Sequence, residues 1–429
     1  GLAAPGGPAA SSVCAVPTDQ LAQLALGIRI PLLLASACAL EFGGAGGAVD
    51  EPAPDGERYA AGDRRPPARE QRWVVAIQVA APSEQLSAVE TLKLSKEPSL
   101  AGGESGIWLI ECGTAGDQRA LLDQLQLAGC VMHGIAEKYS IGEMLGTGAF
   151  SKVFLAEDNC TREEVAVKIV AKKSPKDDIT LLKEATMLRW AEHAGVLQFR
   201  GLYEIENTAG PGAWAIVTEF VGGGELFEEV RQNGPFSNVR AKVVTGQLLS
   251  ALDFLHTRGI VHRDIKTENV CKTGLGDEVK LVDFGLATPE WDSVAMLTRC
   301  GTPGYIAPEV LRGERYGCKV DCFSVGVLTY ILLAGYGPFR GQTLEEMLVK
   351  NSRCKVSFKG LGHIAPDAKV VLEELLVPRA RDRPAAQECL AHKWLSDWVV
   401  AHLTATGTPE TLDSLRAAVA PNGLALRRR

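Results

Sequence analysis

His262-Arg263-Asp264-Ile265-Lys266-Thr267-Glu268-Asn269, followed nineteen residues after Asp264 by Asp283-Phe284-Gly285, is the stretch on which the reading of this chain turns. Asp264 and Asn269, five residues apart, put a carboxylate and a carboxamide into one loop. Downstream come Gly301-Thr302-Pro303-Gly304-Tyr305 and then Ala307-Pro308-Glu309. Any one of these tripeptides could arise by chance; the whole set, in this order and at this spacing, could not.

Working upstream, Leu145-Gly146-Thr147-Gly148-Ala149-Phe150-Ser151-Lys152-Val153 lies between two strand-like runs. Glycines at 146 and 148 let the backbone approach phosphate oxygens with no Cβ in the way, although such a hairpin alone is most often only a turn. Twenty residues after Gly148 stands Val165-Ala166-Val167-Lys168. A lysine inside an apolar strand needs a partner, because burying a lone ammonium is costly; on an edge strand it would need none. The next acidic group at a helical position is Glu184, whose carboxylate would fix the ammonium so that it holds α- and β-phosphates.

The rest of the chain sets the frame. Its 429 residues suggest roughly three domains, or one large domain with extensions. Hydrophobic residues make up 46% and charged residues 23%, which excludes a wholly disordered or collagen-like chain. The net charge of −7 leaves no global footprint for nucleic acid. Eleven scattered cysteines, the closest pair being Cys318 and Cys322, read as reduced thiols of a cytoplasmic protein. The chain starts at Gly1 rather than at a methionine, as expected of a fragment, a processed chain or a gene model lacking its start.

Residues 1–64 read as a poorly ordered, linker-like region, rich in Gly, Ala and Pro after Glu41. Within it, Leu21 to Leu40 is apolar but interrupted by Arg29 and Pro31, so a packed helix or loose tail is expected there and a membrane span is not. Residues 65–138 form a small accessory α/β region. A helix is expected from Pro67, with Trp73, Ile77 and Ala80 on one face, then a strand over Ile107–Cys112 and a helix over Asp117–Leu127. That strand and helix resemble the closing part of a pleckstrin-homology domain. From Tyr139 strand-like runs alternate with turns, and after Glu219 the patterns turn helical, which suggests two lobes with a cleft.

Residues 139–395 thus resemble a eukaryotic protein kinase domain over its full length, with Lys266 marking the Ser/Thr branch. Gly-Thr-Gly-Ala-Phe-Ser at 146–151, the run from Gly222 to Val230 and the run from Cys300 to Val310 are similar to the calcium/calmodulin-dependent group. The resemblance implies an α+β bilobal fold, with a small β-rich N-lobe and a larger helical C-lobe. It also implies ATP and Mg²⁺ as cofactors and transfer of the γ-phosphate to Ser or Thr hydroxyls of protein substrates.

By the same resemblance, Asp283 and Asn269 hold Mg²⁺, Asp264 accepts the substrate proton and Lys266 neutralises charge developing on the γ-phosphate. Lys168, paired with Glu184, holds the other phosphates. The nucleotide lies against residues 145–151, Val153 and Ala166 above and Cys271 below. The hinge from Glu219 to Val221 offers backbone hydrogen bonds, Thr218 stands behind the adenine, and Glu225 falls just past the hinge. Glu309 is expected to pair with Arg383, and Asp321 to brace the catalytic loop. Departures are Ser151 for the third glycine, Thr267 for proline and Phe323 for tryptophan, and none removes a catalytic atom.

Thr298 sits where the family's activating phosphorylation usually falls, with Arg263 as the cation to meet a phosphate. Glu225 and Glu268 are expected to favour Arg three residues before the acceptor. Only 34 residues follow Leu395, none fitting an EF-hand loop, so calcium sensing by this chain itself is not expected. In the tail, 396–429, Thr408-Pro409-Glu410 is a helix-start signal for either a regulatory helix or a plain surface helix. Protein substrates are the expected partners, with an upstream kinase or calmodulin as regulator and no nucleic acid. Membrane association is not expected; the alternative is association through the N-terminal region. The competing functional class is a catalytically silent scaffold docked through the N-terminal region, against which the intact Lys168, Asp264 and Asp283 argue.

Overall fold

The computed structural model describes residues 14–15, 35–42, 72–79, 106–112, 119, 122–123, 126 and 131–406, apart from 149–150, 173–174 and 207–211. In chain order its strands are β1 Cys14–Ala15, β2 Ala35–Phe42, β3 Arg72–Val79, β4 Gly106–Cys112, β5 Val131–Met132, β6 Tyr139–Thr147, β7 Ser151–Asp158, β8 Glu164–Ala171, β9 Phe199–Ile205, β10 Ala213–Glu219, β11 Ile260–Val261, β12 Val270–Lys272, β13 Val279–Leu281 and β14 Thr288–Pro289. Its helices are α1 Ile135–Lys138, α2 Pro175–Trp190, α3 Leu226–Asn233, α4 Asn238–Thr257, α5 Pro308–Arg312, α6 Lys319–Ala334, α7 Leu344–Arg353, α8 Pro366–Leu375, α9 Ala386–Leu390 and α10 Lys393–Thr406. Two compact units result, Gly1–Ser140 with Arg200–Ala215, and Ile141–Phe199 with Ile216–Arg429.

In the first unit the strands run β1-β4-β3-β2-β5-β9. β3 pairs antiparallel with β4 from Trp73 opposite Cys112 to Val79 opposite Gly106, and with β2 on its other side. The helix expected from Pro67 is therefore corrected to a strand over Arg72–Val79. Trp73 and Ile77 are four apart, an even spacing that a strand of period two satisfies as well as a helix. The β-branched Val74, Val75, Ile77 and Val79 tip the balance once two neighbours are there to pair with. The strand expected over Ile107–Cys112 is present as β4. Of the helix expected over Asp117–Leu127, the described residues 119, 122, 123 and 126 are helical. Of the apolar stretch Leu21 to Leu40, the last six residues belong to β2 and the rest lie outside the described residues. No described helix is long and apolar enough to cross a membrane.

The second unit has a β-sheet lobe and a helical lobe. The sheet runs from the latter half of β10 through β8 and β7 to β6. β7 and β8 pair antiparallel with Val153 opposite Lys168 and Leu155 opposite Ala166. Alternation then sends Val165 and Val167 into the core, both almost fully buried, and sets Ala166 and Lys168 on the opposite face. The helical lobe is built on α4 and α6. Ser237 caps α4 by accepting from the Arg240 main-chain N–H at 3.2 Å. α4 buries Ala241, Val244, Leu248, Leu252 and Leu255, a three-and-four spaced stripe. α6 is buried over nearly its whole length, with Thr329 bonded to Thr245 of α4 at 2.9 Å. Gly246 is required where α4 meets the Trp398 ring, since a Cβ there would lie 2.4 Å from it.

Candidate active site

Four short elements of the second unit bring the motif residues together. Lys168 Nζ on β8 lies 2.6 Å from Glu184 Oε1 on α2. Burial alone would lower the Lys168 pKa, but the carboxylates of Glu184 and Asp283 outweigh it and hold it above its ordinary value. Burial raises the Glu184 pKa, against the pull of Lys168. The lysine thus faces two carboxylates, a site for a cation that also serves an anionic ligand.

The catalytic-loop cluster is tighter. Asp264 Oδ2 accepts from Lys266 Nζ at 2.9 Å and from Asn269 Nδ2 at 3.0 Å, while Oδ1 accepts from the Thr302 hydroxyl at 2.7 Å. Lys266 also donates to Thr302 Oγ1 at 3.1 Å. Asn269 Nδ2 donates in addition to the Asp264 carbonyl at 2.8 Å, so its amide is oriented and Oδ1 is left as a free acceptor. Asp283, held at φ 61°, accepts from the Gly285 N–H at 3.2 Å and has no cation within ion-pair distance among the described residues. A free amide oxygen together with the Asp283 carboxylate is a hard-donor set that fits Mg²⁺.

Asp321, at the start of α6, anchors this loop from below. Its Oδ2 accepts from the His262 N–H at 2.9 Å and its Oδ1 from the Arg263 N–H at 2.8 Å, with His256 Nε2 at 3.0 Å. Arg263 takes a left-handed backbone at φ 67° to make this turn. Glu309 and Arg383 pair as expected.

Around the nucleotide face, Gly148 N–H closes the β6–β7 turn on the Ser151 carbonyl at 2.8 Å, beside Gly146 and Thr147. Ala149 and Phe150 lie outside the described residues. Leu145 is exposed and Val153 and Ala166 half-buried. Thr218 is buried, and Glu219 turns its carboxylate onto Gln198 N–H and Lys280, both at 2.7 Å. No described residue hydrogen-bonds the main chain of Val221, which leaves a donor and an acceptor for a ligand. Cys271 on β12 bridges to Glu225, and burial, then Glu225, pushes its thiol up to about 11, so it presents a neutral floor. Glu225 itself is raised, first by burial and then by Glu268 and Glu228. Three carboxylates therefore share the mouth of the cleft.

Arg263 reaches from the catalytic loop to the stretch Asp283–Glu309, the activation segment. Its Nε donates to the Leu286 carbonyl at 2.8 Å, and Nη1 to the Ala295 carbonyl at 2.9 Å and the Tyr316 hydroxyl at 3.2 Å. Two of its three nitrogens are thus committed to the segment itself. Thr298 is exposed, and its hydroxyl donates to the Val294 carbonyl at 3.0 Å. The buried Tyr316 hydroxyl also lies 2.9 Å from the Ala295 carbonyl and 2.6 Å from that of Thr298. Sequence reasoning missed Tyr316, His256 and the Thr267–Tyr305 hydroxyl pair at 2.9 Å, all of which depend on long-range contacts with no local signal.

A β-sheet lobe carrying a Lys–Glu pair above a loop of Asp, Lys and Asn is the arrangement of a phosphotransferase that acts on protein hydroxyls. The protein kinase domain model matches residues 139–395, and the chain belongs to the protein kinase family. It is 37% identical over 268 residues to calcium/calmodulin-dependent protein kinase type 1 of Caenorhabditis elegans, covering 61% of this chain and 75% of that protein. It is 36% identical over 284 residues to a probable serine/threonine-protein kinase 2 of Plasmodium falciparum, covering 65% of this chain and 54% of the relative. A probable myosin light chain kinase of Dictyostelium discoideum is 34% identical over 286 residues, or 65% and 79% of the two chains. The chain thus spans about half the length of the Plasmodium relative and three quarters or more of the other two. The matched domain is that of a Ser/Thr protein kinase, a family that uses ATP and Mg²⁺ in general.

Proposed function

We propose that this chain transfers phosphate to Ser or Thr in protein segments that carry Arg upstream of the acceptor. The observation that carries this reading is the Asp264–Lys266–Thr302 cluster, set beside the carboxylates of Glu225 and Glu268. Asp264, held by Thr302, orients the acceptor hydroxyl and takes its proton. Lys266 moves its remaining donors toward the transferred group. Lys168, steadied by Glu184, holds the ATP phosphates, and the main chain of Val221 holds the adenine over Cys271. Asp283 and Asn269 would hold Mg²⁺, which would neutralise phosphate charge.

Thr298 remains our candidate phosphosite. An upstream kinase or calmodulin is proposed as regulator, the latter on the names of the relatives. Residues 65–138 are proposed as an accessory region and 396–429 as a tail. The tail helix expected after Thr408 lies outside the described residues. Cys160, Cys271, Cys300, Cys318, Cys322, Cys354 and Cys389 are free thiols, which fits a cytoplasmic setting. No observation favours a silent scaffold.

The test is phosphate incorporation from labelled ATP into a basic Ser peptide by the purified chain, with Lys168→Met and Asp283→Ala alongside. Both variants are expected to be inactive yet folded, with a cooperative melting transition, because both side chains serve the bound nucleotide and not the apolar core. Wild-type turnover by either folded variant refutes the assignment.

A further inference from the structure

Glu184 is placed by α2, so whatever fixes α2 fixes the Lys168 pair. The residue before it, Lys183, sends Nζ to Asp292 Oδ2 at 3.0 Å, 109 residues along the chain. Asp292 lies between Gly285 and Thr298. Its Oδ1 accepts from the Ala295 N–H at 3.0 Å and its carbonyl from the Met296 N–H at 3.0 Å, so it holds the start of the short turn Ala295–Leu297. The carbonyl of Ala295 in turn receives Arg263 Nη1, and Arg263 is the residue before Asp264. Three polar contacts, linked by adjacent positions along the chain, therefore join the helix that carries Glu184 to the catalytic loop. Asp292 is the anion on that path, a carboxylate belonging to the chain itself. The Ala295 N–H, then Lys183, holds its pKa below the usual carboxylate value.

We propose that Lys183 and Asp292 are positioning residues, whose ion pair fastens α2 to the activation segment and keeps Glu184 against Lys168. This rests on the reading that Lys168 and Glu184 hold the ATP phosphates. The two side chains are 36% and 30% exposed, so the pair biases an equilibrium between docked and undocked α2 rather than locking it.

The test uses the full chain after phosphatase treatment, with steady-state kinetics against ATP and a fixed basic Ser peptide. Lys183→Ala and Asp292→Asn are each expected to lower kcat/KM for ATP by about two- to fivefold, the population shift of a half-exposed ion pair. Asn can still cap Ala295, so Asp292→Asn removes the charge and leaves the turn. The double variant is expected to lose no more than either single variant. Lys183→Arg is expected to retain wild-type kinetics, and the urea midpoint of all variants is expected to stay unchanged. Raising ionic strength is expected to shrink the difference from wild type. Wild-type kinetics in Lys183→Ala, or fully additive losses in the double variant, overturn the inference. Turnover by Lys168→Met in the same assay overturns the site reading itself, and this inference with it.

Discussion

Glu309 and Arg383, 74 residues apart, meet through two parallel hydrogen bonds of 2.8 and 3.1 Å, with side-chain exposures of 3% and 0%. The two terminal nitrogens also donate to the Lys319 carbonyl at 2.7 Å and the Val377 carbonyl at 3.0 Å, and the guanidinium lies 4.9 Å from the centre of the Phe323 ring. Phe323 stands where the family usually has tryptophan and still offers the cation a ring face. The pair ties α5 to the loop before α9 and so fixes the end of the activation segment.

Removing either member leaves a buried charge uncompensated. Arg383→Ala and Glu309→Ala are each expected to cost about 3–5 kcal/mol of stability. Urea denaturation followed by intrinsic fluorescence measures this. A midpoint equal to wild type in either variant contradicts the assigned role.

Thr302 joins Asp264 to Lys266 through one hydroxyl. Thr302→Ala is expected to remove nearly all activity and Thr302→Ser to keep most of it. Thr298→Ala is expected to lower activity only in part, because two nitrogens of Arg263 already hold the segment through main-chain carbonyls. Peptide phosphorylation rates of the three variants, set against phosphatase-treated wild type, separate these outcomes.

Glu225 should select basic peptides, and its charge should be lost on acidification earlier than that of an ordinary glutamate. Its pKa lies above 4.5, mainly through burial and then Glu268. The preference for an Arg-bearing over an Ala-bearing peptide is therefore expected to be full at neutral pH and to fade as pH falls toward that raised value. Glu225→Ala is expected to reduce the preference by about 1–3 kcal/mol, the scale of a charged hydrogen bond. Ratios of kcat/KM for the two peptides across pH test both statements.

Asp321 supplies a pH-dependent share of stability. Burial would raise its pKa, but the hydrogen bond and charge of His256 and the His262 N–H prevail and hold it below 3.8. A folded-state pKa below the unfolded one stabilises the fold above the unfolded value, and the contribution is lost as pH falls beneath it. Asp321→Asn is expected to cost about 2–3 kcal/mol at neutral pH, with the deficit constant down to about 3.8 and narrowing below. Urea midpoints of both proteins along a pH series give the curve.

The chemistry of the site was legible in the sequence because few residue types can do it. Asp264, Asn269 and Asp283 keep their spacing whatever surrounds them, and Lys168 announces itself as a charge inside an apolar strand. Glu309 with Arg383 and Asp321 with the catalytic loop followed from the family resemblance. What escaped were contacts set by tertiary approach. Lys183 looks like one more surface lysine on α2, and Asp292 like one more polar loop residue, until the fold brings them to 3.0 Å. Arg263 was expected to meet a phosphate on Thr298; the carbonyls of Leu286 and Ala295 engage two of its nitrogens, and carbonyls leave no trace in side-chain patterns. The stretch after Pro67 was misread because a spacing of four satisfies helix and strand alike, and only pairing with β2 and β4 decides between them.

Tyr316 has one hydroxyl hydrogen and two carbonyl neighbours, those of Ala295 and Thr298. With burial pushing its phenol up to about 12, it keeps that hydrogen at any physiological pH. One carbonyl is always served at the expense of the other, or both share a forked bond. The phenol therefore faces both ends of the Ala295–Leu297 turn with a single hydrogen to give. The Ala295 carbonyl also receives Arg263 Nη1 and the Thr298 N–H, so among the described residues it is the Thr298 carbonyl that depends on this one hydrogen.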